Sequence, residues 1–122
     1  MFQKTILAVD NAEMFLNSLK RYLADAPYEL HCVTSGKDAL AFLEKSKRPP
    51  DLILMDAEMP EMNGYELTRK IKLREIRTPI VFITANSEQE DIDKAMKAGA
   101  SGILIKPFRT NQLLDKIKEY IK

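Results

Sequence analysis

The sequence predicts an α/β fold built on a parallel sheet, and three observations carry that prediction. Short apolar runs rich in β-branched residues recur along the chain: Ile6-Leu7-Ala8-Val9, Leu52-Ile53-Leu54-Met55, Ile80-Val81-Phe82-Ile83 and Ile103-Leu104-Ile105. Longer segments with helical spacing separate them, which is the pattern of βα units. Each of the four runs also delivers one chemically active side chain at its carboxyl end, namely Asp10, Asp56, Thr84 and Lys106. In an open parallel sheet that end is where ligands bind.

The elements follow in order. Thr5 to Val9 is the first strand. Phe15, Leu16, Leu19, Tyr22 and Leu23 then fall at helical spacing, with Asn11 as the candidate N-cap, and Ala26-Pro27 breaks the helix. Tyr28 to Val33 is more polar, as an edge strand is. Ser35 with Asp38 opens a second helix through about Ser46, burying Leu40 and Leu43. Pro49-Pro50 forces an extended entry into the third strand, which ends at Asp56. A loop punctuated by Pro60 and Asn63-Gly64 leads to a helix from Tyr65 to about Arg74. Thr78-Pro79 precedes the fourth strand. Ser87 with Glu90 reads as a capping box for a helix that stops at Gly99. Gly102 to Ile105 is the fifth strand, and Thr110 is the candidate cap of a last helix carrying Leu113, Leu114, Ile117 and Ile121 on one face. The expectation is five strands alternating strictly with five helices.

The chain has 122 residues, which suits a single domain over 1–122 with a real core. The expectation is one domain with no output domain in this chain. A formal net charge of +1 supplies no basic field for nucleic acid or an anionic membrane. No apolar stretch approaches the roughly 20 residues of a membrane span, and no signal-peptide core is present, so the expected location is cytoplasmic. The lone Cys32 lies in an apolar segment and reads as a buried, inert thiol. His31, the only histidine, falls in the edge strand and reads as packing or surface. Met55, Met59 and Met62 read as core or loop packing.

Two acids, a hydroxyl and an ammonium at one sheet edge suit cation-assisted handling of a phosphoryl group. A lone Asp at a strand end is usually a turn residue or cap. Four ordered features outweigh that reading: Asp10, then Asp56-x-x-Met59-Pro60-x-Met62-x-Gly64, then Thr84-Ala85, then Lys106-Pro107-Phe108. With these motifs the whole chain resembles the receiver domain of two-component response regulators.

The resemblance implies a doubly wound, flavodoxin-like sheet of order 2-1-3-4-5, which places Asp10 beside Asp56 and brings Thr84 and Lys106 to the same crevice. It implies that Asp56 is the phosphoacceptor, attacking the phosphorus of a phosphohistidine in a Mg²⁺-dependent reaction. Asp10, Asp56 and the backbone carbonyl of Glu58 would hold the metal, with Asn11 a weak, uncharged ligand. Lys106 would neutralise the transferred group and Thr84 would hydrogen-bond it. The domain would promote its own phosphorylation and dephosphorylation without being a conventional enzyme. The implied partners are a sensor histidine kinase or phosphotransfer protein and a downstream protein or fused output domain. A weak homodimer is compatible with the resemblance, and the Lys106-Pro107 peptide is expected to be cis.

Two positions depart from the family. The second acid after the first strand is Asn11, which should weaken metal binding, with Glu13 one helical step on. Ile103 stands where many receivers carry an aromatic switch residue, so Thr84 keeps only half of the familiar switch. Glu58 and Asn86 occupy positions that tune dephosphorylation in the family. The alternative reading is a degenerate receiver that binds a partner without phosphorylation. A flavodoxin-type cofactor site is disfavoured, because the acidic Asp10-Asn11-Ala12-Glu13 turn would repel phosphate.

Overall fold

The structure, a computed structural model, describes residues 3–122. Met1 and Phe2 of the expected domain lie outside them. Ten elements alternate along the chain: β1 (Lys4–Val9), α1 (Glu13–Tyr22), β2 (Tyr28–Val33), α2 (Gly36–Lys45), β3 (Leu52–Asp56), α3 (Gly64–Leu73), β4 (Ile80–Thr84), α4 (Gln89–Ala98), β5 (Gly102–Ile105) and α5 (Thr110–Tyr120). The five strands form one parallel sheet in the order β2-β1-β3-β4-β5.

The central strands are apolar throughout because both faces of the sheet are covered. Leu7, Val9, Ile53, Met55, Ile80 and Phe82 point to one face, where α2, α3 and α4 supply Ala39, Leu43, Leu67, Ile71 and Ala95. Ile6, Ala8, Leu52, Leu54, Val81 and Ile83 point to the other, against Leu16 and Leu19 of α1 and Leu113 and Ile117 of α5. The alternation of single residues between two cores fixes the register, since a slip by one residue would exchange the faces. In that register Val9 lies beside Met55, and Asp56 beside Ile83. The carboxyl ends of β1, β3 and β4 therefore finish together.

The helix boundaries correct several sequence expectations. The N-cap of α1 is Ala12, not Asn11, and makes no side-chain cap bond. Asp10 takes that part, its Oδ1 accepting from Ala12 N at 2.8 Å. Ser35 caps α2 by accepting from Asp38 N at 3.0 Å. α3 begins at Gly64 because Asn63 and Glu66 form a reciprocal capping box, which the Asn63-Gly64 turn reading overlooked. The Ser87–Glu90 box does not form, and α4 starts at Gln89 after Glu88. The cause is a competing pair of bonds: Asn86 N donates to Thr84 Oγ1 at 3.1 Å, and Glu88 N donates to Asn86 Oδ1 at 3.2 Å. These fold the loop first and leave the helix to start one residue later. Thr110 is the first residue of α5 and Arg109 its cap, with Arg109 N donating to Gln112 Oε1 at 2.6 Å. Gly99 closes α4 at φ 118°, where a side chain would be strained.

Cys32 is half-buried rather than buried, and desolvation raises its thiol, so it stays protonated and unreactive. Among the described residues no helix is long and apolar enough to cross a membrane.

Candidate functional site

β3 ends in an acid, Asp56, and an acid, Asp10, directly follows β1. Asp10 is only 3% exposed, although β1 ends just before it. Its Oδ1 is occupied by Ala12 N, while its Oδ2 is buried with no hydrogen-bond partner. A buried carboxylate oxygen left without a partner is costly, by about 1–3 kcal/mol. Lys106 offers the nearest relief. Its ammonium stands 3.6 Å from Asp10 Oδ2, an ion pair beyond hydrogen-bonding distance.

Asp56 lies across from this pair, half-buried at the end of β3. Its carboxyl is pushed up to about 6. Desolvation is the largest cause and the neighbouring charge of Asp10 the next, with Lys106 and the Glu58 N–H pulling the other way. The Glu58 N–H bond is long, at 3.4 Å. Both acids line a narrow crevice with Phe15, Leu19 and Ile83. Behind Asp56 the chain is packed tightly: any Cβ at Gly64 would run into the backbone oxygen of Asp56, so the start of α3 can close on the acid only with glycine there.

Thr84 ends β4, and its hydroxyl accepts from Asn86 N, tying it to the β4–α4 loop. Lys106 follows β5 and precedes a cis Lys106-Pro107 peptide, as expected. Asn11 and Glu58 are exposed. Ile103 is half-buried against the cluster that contains Phe82 and Tyr65, and Tyr65 stacks on Phe82 at 5.4 Å between ring centroids. His31 pairs with Glu29 at 3.1 Å and tilts against Phe42 on the edge strand, consistent with a packing role.

One residue at this site carries no role in the sequence reading. Phe15 counts there as one more apolar residue of α1, yet its ring lies 4.0 Å from the Lys106 ammonium. No local pattern signals this, because the two residues meet only through the fold.

The residues fit a divalent cation. Asp10 Oδ2 is a buried acceptor with no hydrogen bond, and a cation between the two carboxylates would offset the burial and the Asp10 repulsion that raise Asp56. Among the described residues no group of three or more His, Cys, Asp or Glu side chains could hold a metal alone. Magnesium needs only one or two carboxylates when phosphate oxygens and waters complete its shell.

A family model described as the response regulator receiver domain matches residues 6–118. The transcriptional regulatory protein CrdR of Helicobacter pylori is 35% identical, over 97% of this chain and 55% of its own length. The chain thus spans from about a quarter to about half of the length of curated relatives such as this. The chemotaxis protein CheY4 of Vibrio cholerae superposes with a TM-score of 0.91 at 30% identity, covering 98% of this chain and 100% of that one. The receiver domain of the sensor histidine kinase PA1611 of Pseudomonas aeruginosa, solved with a magnesium ion in its active-site cleft, superposes with a TM-score of 0.88. It is 30% identical and covers 98% of each chain.

Proposed function

Because the chain belongs to the response regulator receiver domain family, we propose that it accepts a phosphoryl group on Asp56 and passes the change to a partner through the β4–α4 and β5–α5 loops. One observation supports this above the others. Two carboxylates meet at the sheet edge with one oxygen unpartnered and one acid raised, and a lysine ammonium stands just out of bonding distance. A site kept this unsatisfied costs stability and is explained by a charge it is built to receive.

An Asp56 oxygen attacks the phosphorus of a phosphohistidine on a sensor histidine kinase or phosphotransfer protein. The new P–O bond forms as the P–N bond to imidazole breaks, and the imidazole takes up a proton. Magnesium bound by Asp10, Asp56 and the Glu58 carbonyl, with Asn11 a weak fourth ligand, would supply positive charge to the carboxylates and the phosphoryl oxygens. Lys106 turns from the unpartnered Asp10 oxygen to the phosphoryl group as a charge-assisted donor. Thr84, which accepts from Asn86 N, has its own O–H free to donate to a phosphoryl oxygen, and so links the new charge to the β4–α4 loop. Ile103 has no ring to swing, so the signal runs through that loop. The added charge shifts an existing equilibrium between two loop arrangements. The output is a protein or a fused domain.

Incubation with Mg²⁺ and acetyl phosphate, followed by intact mass, tests this. One phosphoryl group should be added to the wild type and none to Asp56→Asn. Equal uptake by Asp56→Asn would overturn the assignment. No uptake by either protein would favour a receiver that binds its partner without phosphorylation.

A further inference from the structure

Lys106 is held by an aromatic ring as well as by an acid. Its ammonium is 3.6 Å from Asp10 Oδ2, too far for a hydrogen bond, and that oxygen has no other partner. The same nitrogen lies 4.0 Å from the centroid of Phe15, on its face, with the lysine side chain only 28% exposed. That is well within the range of a cation–π contact, and partial desolvation strengthens it.

The ring is itself braced. Phe108 meets Phe15 edge-on, with centroids 6.2 Å apart and planes at 90°. Tyr22 backs Phe108 at 6.3 Å. Both separations suit edge-to-face pairs. Phe108 follows Lys106-Pro107 directly, so one loop both delivers the cation and buttresses the surface it rests on. Phe15 also lines the crevice shared by Asp10 and Asp56.

We propose that Phe15 is a positioning residue for Lys106, its ring fixing the ammonium at the mouth of the acid pair so that the lysine is in place when the phosphoryl group arrives. This rests on Asp56 as the phosphoacceptor. A lysine is a point charge on a flexible four-carbon stem, and freezing it beforehand removes an ordering cost from the transfer step. A purely packing role for Phe15 would be met as well by leucine, which fills apolar space but offers no π face.

The test compares wild type, Phe15→Leu and Phe15→Tyr in the intact chain. NMR should show the Lys106 Hε protons shifted upfield by the ring current in wild type and Phe15→Tyr, and at ordinary positions in Phe15→Leu. With saturating Mg²⁺ and acetyl phosphate, Phe15→Leu should take up phosphate about threefold to tenfold more slowly, with Phe15→Tyr restoring most of the rate. On a Lys106→Ala background, Phe15→Leu should cost nothing further, because a positioning residue has nothing left to position. The same loss on both backgrounds would reduce Phe15 to packing and overturn the proposal. So would unshifted Lys106 protons in wild type. Equal rates for wild type and Phe15→Leu would overturn the positioning role while leaving Asp56 as phosphoacceptor. Failure of the wild type to take up phosphate would overturn both.

Discussion

Just before β3, Asp51 Oδ2 accepts from Thr5 N at 2.8 Å and from Thr5 Oγ1 at 3.4 Å. Nearby, the buried Thr78 hydroxyl donates to Pro50 O at 2.8 Å. At the far end of the same strand, Asp56 has one long bond from Glu58 N, and neighbouring Asp10 leaves Oδ2 with no hydrogen bond and only the 3.6 Å ion pair to Lys106. The same strand thus carries a satisfied acid at its amino end and an unsatisfied one at its carboxyl end. The amino end stitches β1 to the entry of β3 and serves stability. The carboxyl end gives up stability, and on the proposed function that unsatisfied state is what a cation and a phosphoryl group would complete. Polar groups hidden without partners persist where a ligand completes them.

Removing a charge at the two ends should give different results. Lys106→Ala should slow phosphate uptake from acetyl phosphate on the order of a hundredfold, by removing a charge aimed at the transferred group. Asp51→Asn should leave uptake unchanged. A comparable loss in Asp51→Asn would erase the functional distinction between the ends.

The metal side of the comparison can be sharpened at Asn11. Asn11→Asp adds an anionic ligand beside Asp10 and should tighten Mg²⁺ about tenfold, read by NMR shifts of Asp10 and Asp56. Equal affinities would mean that position 11 takes no part in holding the ion.

Stability should show the smallest effect, with opposite signs. The Asp56 carboxyl is held above its ordinary value, so the fold favours its protonated form. That contribution is fully present below about pH 4 and is lost as pH rises through about 6. Asp56→Asn, which cannot ionise, should therefore unfold in denaturant about 1–2 kcal/mol later than wild type at pH 7, after discounting for solvent screening. The gain should vanish toward pH 4 and shrink when Mg²⁺ is added to the wild type. Asp51→Asn should instead cost about 1 kcal/mol, through weakened bonds to Thr5. Destabilisation by both changes at pH 7 would contradict the picture of a strained acid pair.

Four of the strands were legible because each is a compact apolar run with punctuated ends, and β2 was legible as a more polar edge strand. Asp10, Asp56, Thr84 and Lys106 could be singled out as candidates for a related reason, since each stands at the end of such a run. The helix starts were harder. Ser87-x-x-Glu90 has the form of a capping box, but Thr84 and Asn86 claim the loop first, and that competition depends on how β4 ends in three dimensions. Asn63-x-x-Glu66 carried the same signal and was hidden by its Asn-Gly turn. Asn11 looked like a cap because it precedes the helix, whereas the buried Asp10 reaches forward to Ala12. Phe15 could not be told from a core residue. Leu16 and Leu19 share its helical spacing and are buried as core, and only the fold brings Lys106 onto its ring. The raised Asp56 was equally out of reach, because its causes are burial and the neighbouring Asp10, which depend on how β1 and β3 pair.

The most direct test of the account is the titration of the Asp56 side-chain carboxyl, followed by carbon-detected NMR with and without saturating Mg²⁺. Without metal its midpoint should lie near 6, and with Mg²⁺ it should fall toward the ordinary 3.8 as the cation's charge offsets the burial and the repulsion from Asp10 that raise it. A midpoint near 3.8 in both conditions would contradict the claim that this end of the sheet is held unsatisfied for an incoming cation and phosphoryl group.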